Sequence, residues 1–136
     1  MAAPEIKIIA LSNIFSRMMF FKNKGDTENG HKHTFDHATQ VSHGSVLVEV
    51  LDDSGSVTSS KVFESPTMVF IDKNKYHRLI ALEDQTVCSC IHAIKTTDGE
   101  IVDPDFLIEP LWSTNKGEVV SLVKEKYDKE MIPFLA

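Results

Sequence analysis

The chain has 136 residues, 42% of them apolar, which suits one domain with one hydrophobic core and excludes a disordered chain. Its 14 basic residues against 20 acidic ones give a formal net charge of -6 with histidine neutral, a poor footprint for DNA or RNA. No apolar run approaches a membrane span, and MAAPEIKIIALSNIF carries an early acid and only a short, interrupted apolar stretch, so a cytoplasmic protein with no nucleic-acid or membrane partner is expected.

Taken in chain order, EIKIIAL (5–11) and RMMFFK (17–22) are the first candidate strands, followed by the polar, turn-forming segment KNKGDTENG. The stretch from His31 to Val41 carries bulky and β-branched residues and can be extended, and His43-Gly44 supplies a turn. SVLVEVL (45–51) reads as a strand and DDSGS as a turn. Short extended pieces follow at 61–64, 67–71 and 77–82, then VCSCIHAI (87–94), closed by TTDGE. Short strands at this spacing favour an antiparallel sandwich or barrel over a parallel α/β protein. After the proline-punctuated DPDFLIEPLW, the residues Val119, Val120, Leu122, Val123, Tyr127 and Met131 recur near helical spacing. That pattern predicts an amphipathic helix, laid either against the barrel or against another subunit. The whole chain, 1–136, reads as a single domain with its motif-bearing core at about 25–94 and a packing segment and helix at about 103–131.

Chemistry concentrates in GDTENGHKHTFDHATQVSHG, which runs from Gly25 to Gly44. On an extended strand His31 and His33 project from one face, and His37 shares their parity, with a bend or bulge before it. His77 lies far along the chain beside a turn, and a barrel can bring its strand across from the first three. Neutral imidazoles ligate iron, manganese, nickel, zinc and copper. The bland alternative is three histidines clustered by chance on an exposed strand. Phe35 and Thr39 either line such a pocket or fill the core. Tyr76 and Arg78 flank His77 and so point away from it, and His43 beside its glycine faces solvent. Cys88, Cys90 and His92 share one strand face. The one-residue spacing of the cysteines disfavours a mutual disulfide and suggests reduced thiols. If that face is inward, His92 is a candidate proton-transfer group.

These motifs resemble those of the cupin superfamily. Its first motif has glycine, five residues, His-x-His, three or four residues, glutamate, six residues and glycine. Gly25, His31, His33 and Gly44 match it in type and spacing, and His37 stands where the glutamate would be. In FIDKNKYHRLIAL, His77 matches the metal-binding histidine of the second motif, Asn74 takes the turn-glycine position and Asp72 replaces the proline. The resemblance implies an all-β double-stranded β-helix, or jelly-roll barrel, with a metal held by His31, His33, His37 and His77. Histidine for glutamate makes the site less negative and alters its metal preference, or leaves His37 outside the ligand set with Asp36 or Gln40 as substitutes.

The expected function is a metal-dependent small-molecule enzyme, with Fe(II) favoured and Mn, Ni, Cu or Zn as alternatives. A dioxygenase leads, with His92 as candidate catalytic residue. A metal-dependent isomerase, epimerase or lyase is one alternative, and a non-catalytic small-ligand or sugar-binding cupin is another. A homodimer is expected, with Phe20, Phe21, Phe106, Leu107, Leu111 and Trp112 as candidate apolar contacts.

Overall fold

Alternation is clearest in YHRLIA, where His77, Leu79 and Ala81 are buried and Tyr76, Arg78 and Ile80 are not. The structure, a computed structural model, describes residues 2–11, 13–30, 32–100 and 102. Nine strands form in order: β1 Glu5–Leu11, β2 Ile14–Phe21, β3 Thr27–Glu28, β4 His37–His43, β5 Ser45–Leu51, β6 Val57–Glu64, β7 Thr67–Ile71, β8 Tyr76–Ala81 and β9 Thr86–Ala93. One sheet has the order β1-β2-β9-β4-β7 and the other β3-β8-β5-β6. From β3 onward the chain crosses between sheets at nearly every turn, the winding of a double-stranded β-helix. No helix occurs among the described residues. None is therefore long and apolar enough to cross a membrane. The expected helix at 103–131 lies outside the described residues, as do Phe106, Leu107, Leu111 and Trp112.

The chain groups into two units, Met1–Lys7 with Ser16–His92, and Ile8–Phe15 with Ala93–Ala136. Within the second, the Asn13 side chain and Lys95 backbone bond each other, Nδ2 to the carbonyl at 3.0 Å and N–H to Oδ1 at 2.7 Å. The first carries every described site residue discussed below.

In this unit the inner faces of both sheets meet in one core of Met19, Phe21, Val41, Val46, Val48, Val69, Ile71, Leu79, Ala81 and Cys88. Register explains the match: Val46 is opposite Ala81 and Val48 opposite Leu79, so apolar side chains of β5 and β8 share a face. Each large side chain so buried contributes about 1.5–3 kcal/mol. Phe21 is completely buried and belongs to this core, so it is not a subunit contact. Phe20, its neighbour on the opposite parity, is 36% exposed.

Three local expectations need correction. β6 starts at Val57 rather than near Lys61, because all of β5 needs a partner, from Ser45↔Glu64 to Leu51↔Val57. The two-residue β3 forms inside the polar segment, where Thr27 and Glu28 pair with Ile80 and Leu79. The extended stretch before His37 is loop: residues 32–36 form no strand, and β4 begins at His37 itself. Strand parity therefore does not orient His33.

Candidate metal centre

Two of the histidines owe their direction to strands. His37 opens β4 opposite Ile71 of β7, and His77 lies on β8 opposite Val50 of β5. They are 5% and 4% exposed, on the inner faces that carry Ile71 and Leu79. His33 comes from the loop. Its ring centroid lies 4.9 Å from that of His37 and 6.1 Å from that of His77, and His37 and His77 are 5.3 Å apart. His31 lies outside the described residues.

Backbone contacts hold the loop. Gly30 adopts φ +72°, and a Cβ there would lie 1.6 Å from the His77 carbonyl oxygen, so only glycine lets the chain cross β8 at this point. Asn74 N–H donates to the His33 carbonyl at 2.6 Å, and Lys73 N–H donates to Asp36 Oδ1 at 2.8 Å. Asn74 itself takes φ 62°, the left-handed conformation that suits its place in the turn. Gly44, at the far end of the first motif, has φ +77° and sits where a Cβ would meet Thr86 Oγ1 at 2.4 Å.

The donor set can be tested against metal geometry. For imidazole nitrogens about 2.1 Å from a shared ion at angles of about 90–110°, ring centroids are separated by roughly 4.6–5.3 Å. The His33–His37 and His37–His77 distances fall within that span, and the His33–His77 distance exceeds it by about 0.8 Å. No group of three or more His, Cys, Asp or Glu among the described residues is gathered closely enough to hold an ion as it stands. Bringing all three rings within that span would require the loop-borne His33 to turn. The chemistry of His77 also fits: its Nδ1 lies 3.2 Å from the Lys75 carbonyl, and an Nδ1–H donated there puts the lone pair on Nε2.

Phe35 is half-buried against this cluster, 4.8 Å from His33, 6.2 Å from His37 and 4.7 Å from His92 between centroids. Extending the Ala38↔Ile91 register by one residue puts His92 opposite His37. Thr39 is fully buried, its hydroxyl 3.5 Å from Cys90 Sγ. Asp36 and Gln40 do not join the cluster. The Asp36 carboxylate accepts from the Lys73 backbone, and Gln40 is exposed on the opposite parity of β4 from His37. Arg78 points away from His77, with Nε 2.9 Å from Glu49 Oε1. His43 is exposed and bonds the Gln85 carbonyl at 2.8 Å.

Cys88 and Cys90 form no disulfide. Burial, and secondarily the neighbouring Cys90, push the Cys88 thiol up to about 12. It is a core residue rather than a nucleophile. Sequence reasoning passed over Arg17 and Glu28, whose side chains meet at 3.6 Å with 13% and 18% exposure. The visible signal was a charge on β2 at the parity of Met19 and Phe21.

No family model matches the sequence, and no curated protein matches it. Solved structures do resemble it. KdgF from Halomonas sp. is 18% identical with a TM-score of 0.54, covering 68% of this chain and 82% of its own. A cupin-2 domain containing protein from Shewanella frigidimarina is 15% identical with a TM-score of 0.51, covering 68% and 83%. A cupin superfamily protein from Desulfitobacterium hafniense is 11% identical with a TM-score of 0.52, covering 70% and 83%.

Proposed function

From the cupin fold that this chain adopts, we propose that it is a metal-dependent enzyme acting on a small molecule at the centre formed by His33, His37 and His77, with His31 as fourth ligand. The observation that supports the reading is the convergence of three imidazoles, from a loop and from both sheets, beside the apolar core. A bound divalent metal, Fe(II) first among the candidates, supplies Lewis-acid or oxygen-activating chemistry to a substrate with adjacent oxygens. His77 keeps its proton on Nδ1, against the Lys75 carbonyl, and presents Nε2 as donor. His92 stacks on Phe35, which itself stacks on His33, and in this reading accepts or returns a substrate proton at the edge of the site. Phe35 and the apolar core limit water around the reacting groups.

The test begins with metal. Purification under metal-replete conditions gives near one transition-metal ion per chain. His31→Ala, His33→Ala and His77→Ala each weaken affinity by on the order of a hundredfold, and His37→Ala weakens it less or changes the preferred metal. Unchanged stoichiometry and affinity in all four variants would reject the centre. Aerobic and anaerobic product analysis with the Fe(II)-loaded protein and a panel of diketones, catechols and acidic enediols then separates the subclasses. Oxygen consumption with product supports a dioxygenase, and equal product without oxygen supports an isomerase or lyase.

A further inference from the structure

Away from the histidine cluster, the sheet β1-β2-β9-β4-β7 carries a cleft on its outer face. On β2 Phe20 lies between the fully buried Met19 and Phe21, and on β9 Val87 lies between the fully buried Thr86 and Cys88. Strand alternation therefore turns both apolar side chains away from the core. His43 is opposite Val87 at the end of β4. Together with Glu5 of β1, Lys22 and Gln85, these residues line a volume of about 410 Å³, inside the roughly 300–1,000 Å³ of small-ligand sites. Every lining residue belongs to the first unit. His37 and His43 stand at opposite ends of β4, about 20 Å apart along the strand, so the cleft is separate from the imidazole cluster.

The rim is braced by one residue. Gln85 takes φ 57°, a left-handed conformation that a non-glycine residue keeps only where its surroundings enforce it. Its backbone spans the cleft: the N–H donates to the Lys22 carbonyl at 3.1 Å, and the carbonyl lies 2.8 Å from His43 Nδ1. A carbonyl only accepts, so Nδ1 carries the proton and Nε2 of the neutral ring is left as an acceptor. The Thr86 hydroxyl is already committed to the Glu83 and Ser45 carbonyls. Glu5 and Lys22 are exposed, and among the described residues their side chains make no ion pair or hydrogen bond. The cleft thus combines a cation, an anion, an imidazole acceptor and an apolar wall.

We propose that this cleft binds a free α-amino acid with an apolar side chain. Charge complementarity makes the assignment. The α-carboxylate meets the Lys22 ammonium, the α-ammonium is shared by Glu5 and His43 Nε2, and the side chain lies against Phe20 and Val87. A simple anion would face Glu5 and a simple cation Lys22, so each binds less well than a molecule carrying both charges. A zwitterion without an apolar side chain would forgo the wall of Phe20 and Val87.

L-Phenylalanine tests this by calorimetry beside three analogues that each lack one group: hydrocinnamate without the ammonium, phenethylamine without the carboxylate, and glycine without the side chain. Wild-type protein is expected to bind phenylalanine on the order of tenfold more tightly than any of them. Lys22→Gln removes the advantage over phenethylamine and keeps that over hydrocinnamate, and Glu5→Gln cuts the opposite one. Phe20→Ala weakens all three phenyl compounds alike. As-purified and EDTA-treated protein are both measured, because a metal bound at the histidines would itself chelate an amino acid. The same order of affinities in both supports the cleft, and a preference lost on EDTA treatment would place the ligand at the histidines and overturn the proposal. Equal affinity for the three phenyl compounds would mean an apolar groove without charge recognition. That result, no binding of phenylalanine, or Lys22 and Glu5 variants that keep the wild-type order would equally overturn it.

Discussion

Along β4 the inward residues run His37, Thr39, Val41, and along β8 they run His77, Leu79, Ala81. On β9, antiparallel to β4, the same parity runs Cys88, Cys90, His92. Each strand changes from apolar floor to imidazole within a few residues, and all three change at the same end. The two regions are held by different forces. The floor is side-chain packing between opposed strands, with Met19, Phe21, Val41, Val46 and Cys88 fully buried. The histidine end depends on backbone contacts, from Gly30 against His77, Asn74 to His33 and Lys73 to Asp36. Side-chain volume should therefore govern the floor, and chain path the site.

Cys88 provides the largest expected effect. In a Cys90→Ser background, labelling of Cys88 by an aryl disulfide at pH 8 should be about a hundredfold or more slower in the folded protein than in urea. Folded and unfolded chains labelling at equal rates would show that the floor opens freely. The same burial makes stability depend on pH. The folded thiol holds its proton up to about 12 against an ordinary 9.0, so its contribution is complete below 9 and is lost as pH rises from 9 to 12. Urea midpoints should fall across that window, and a flat profile would contradict it.

Leu79→Ala comes next. It should cost about 2–5 kcal/mol in urea unfolding while folded protein still takes up its metal, since the lost contacts belong to the floor. Loss of metal uptake in folded protein would mean that the two regions are not separable. Gly30→Ala costs about 1–3 kcal/mol for the left-handed conformation alone and also forces the chain off the His77 carbonyl, so it should weaken metal binding where Leu79→Ala does not. Wild-type metal affinity in Gly30→Ala would remove the backbone account of the site.

The same contrast explains what could be read from the chain. β5 and β7 match their expected limits, because turn residues bound both and β-branched residues recur at every second position in each. Half of β6 was hidden because it is an exposed edge strand, and Val57, Thr58, Ser59 and Ser60 bury nothing that would mark their phase. His37 and His77 were legible as a pair of inward positions on barrel strands. The path to His33 was not, because Asn74 and Lys73 fix it from a turn remote in sequence. The Arg17–Glu28 contact was not legible for a related reason: the short β3 that carries Glu28 shows itself only through its pairing with β8.

The hydrogen bond from Asn74 to the His33 carbonyl also sets an order in time. His77 lies on β8, and the turn that secures the His33 loop leads into that strand, so the three described imidazoles come together only after β7 has paired with β4 and β8 with β5. Contacts so distant along the chain form slowly, after local ones. A nascent chain that ends before Lys73 carries His33 and His37 without the turn or the partner that would make them a site. On the proposed reading of the site, metal capture would then be the closing event of folding rather than its template.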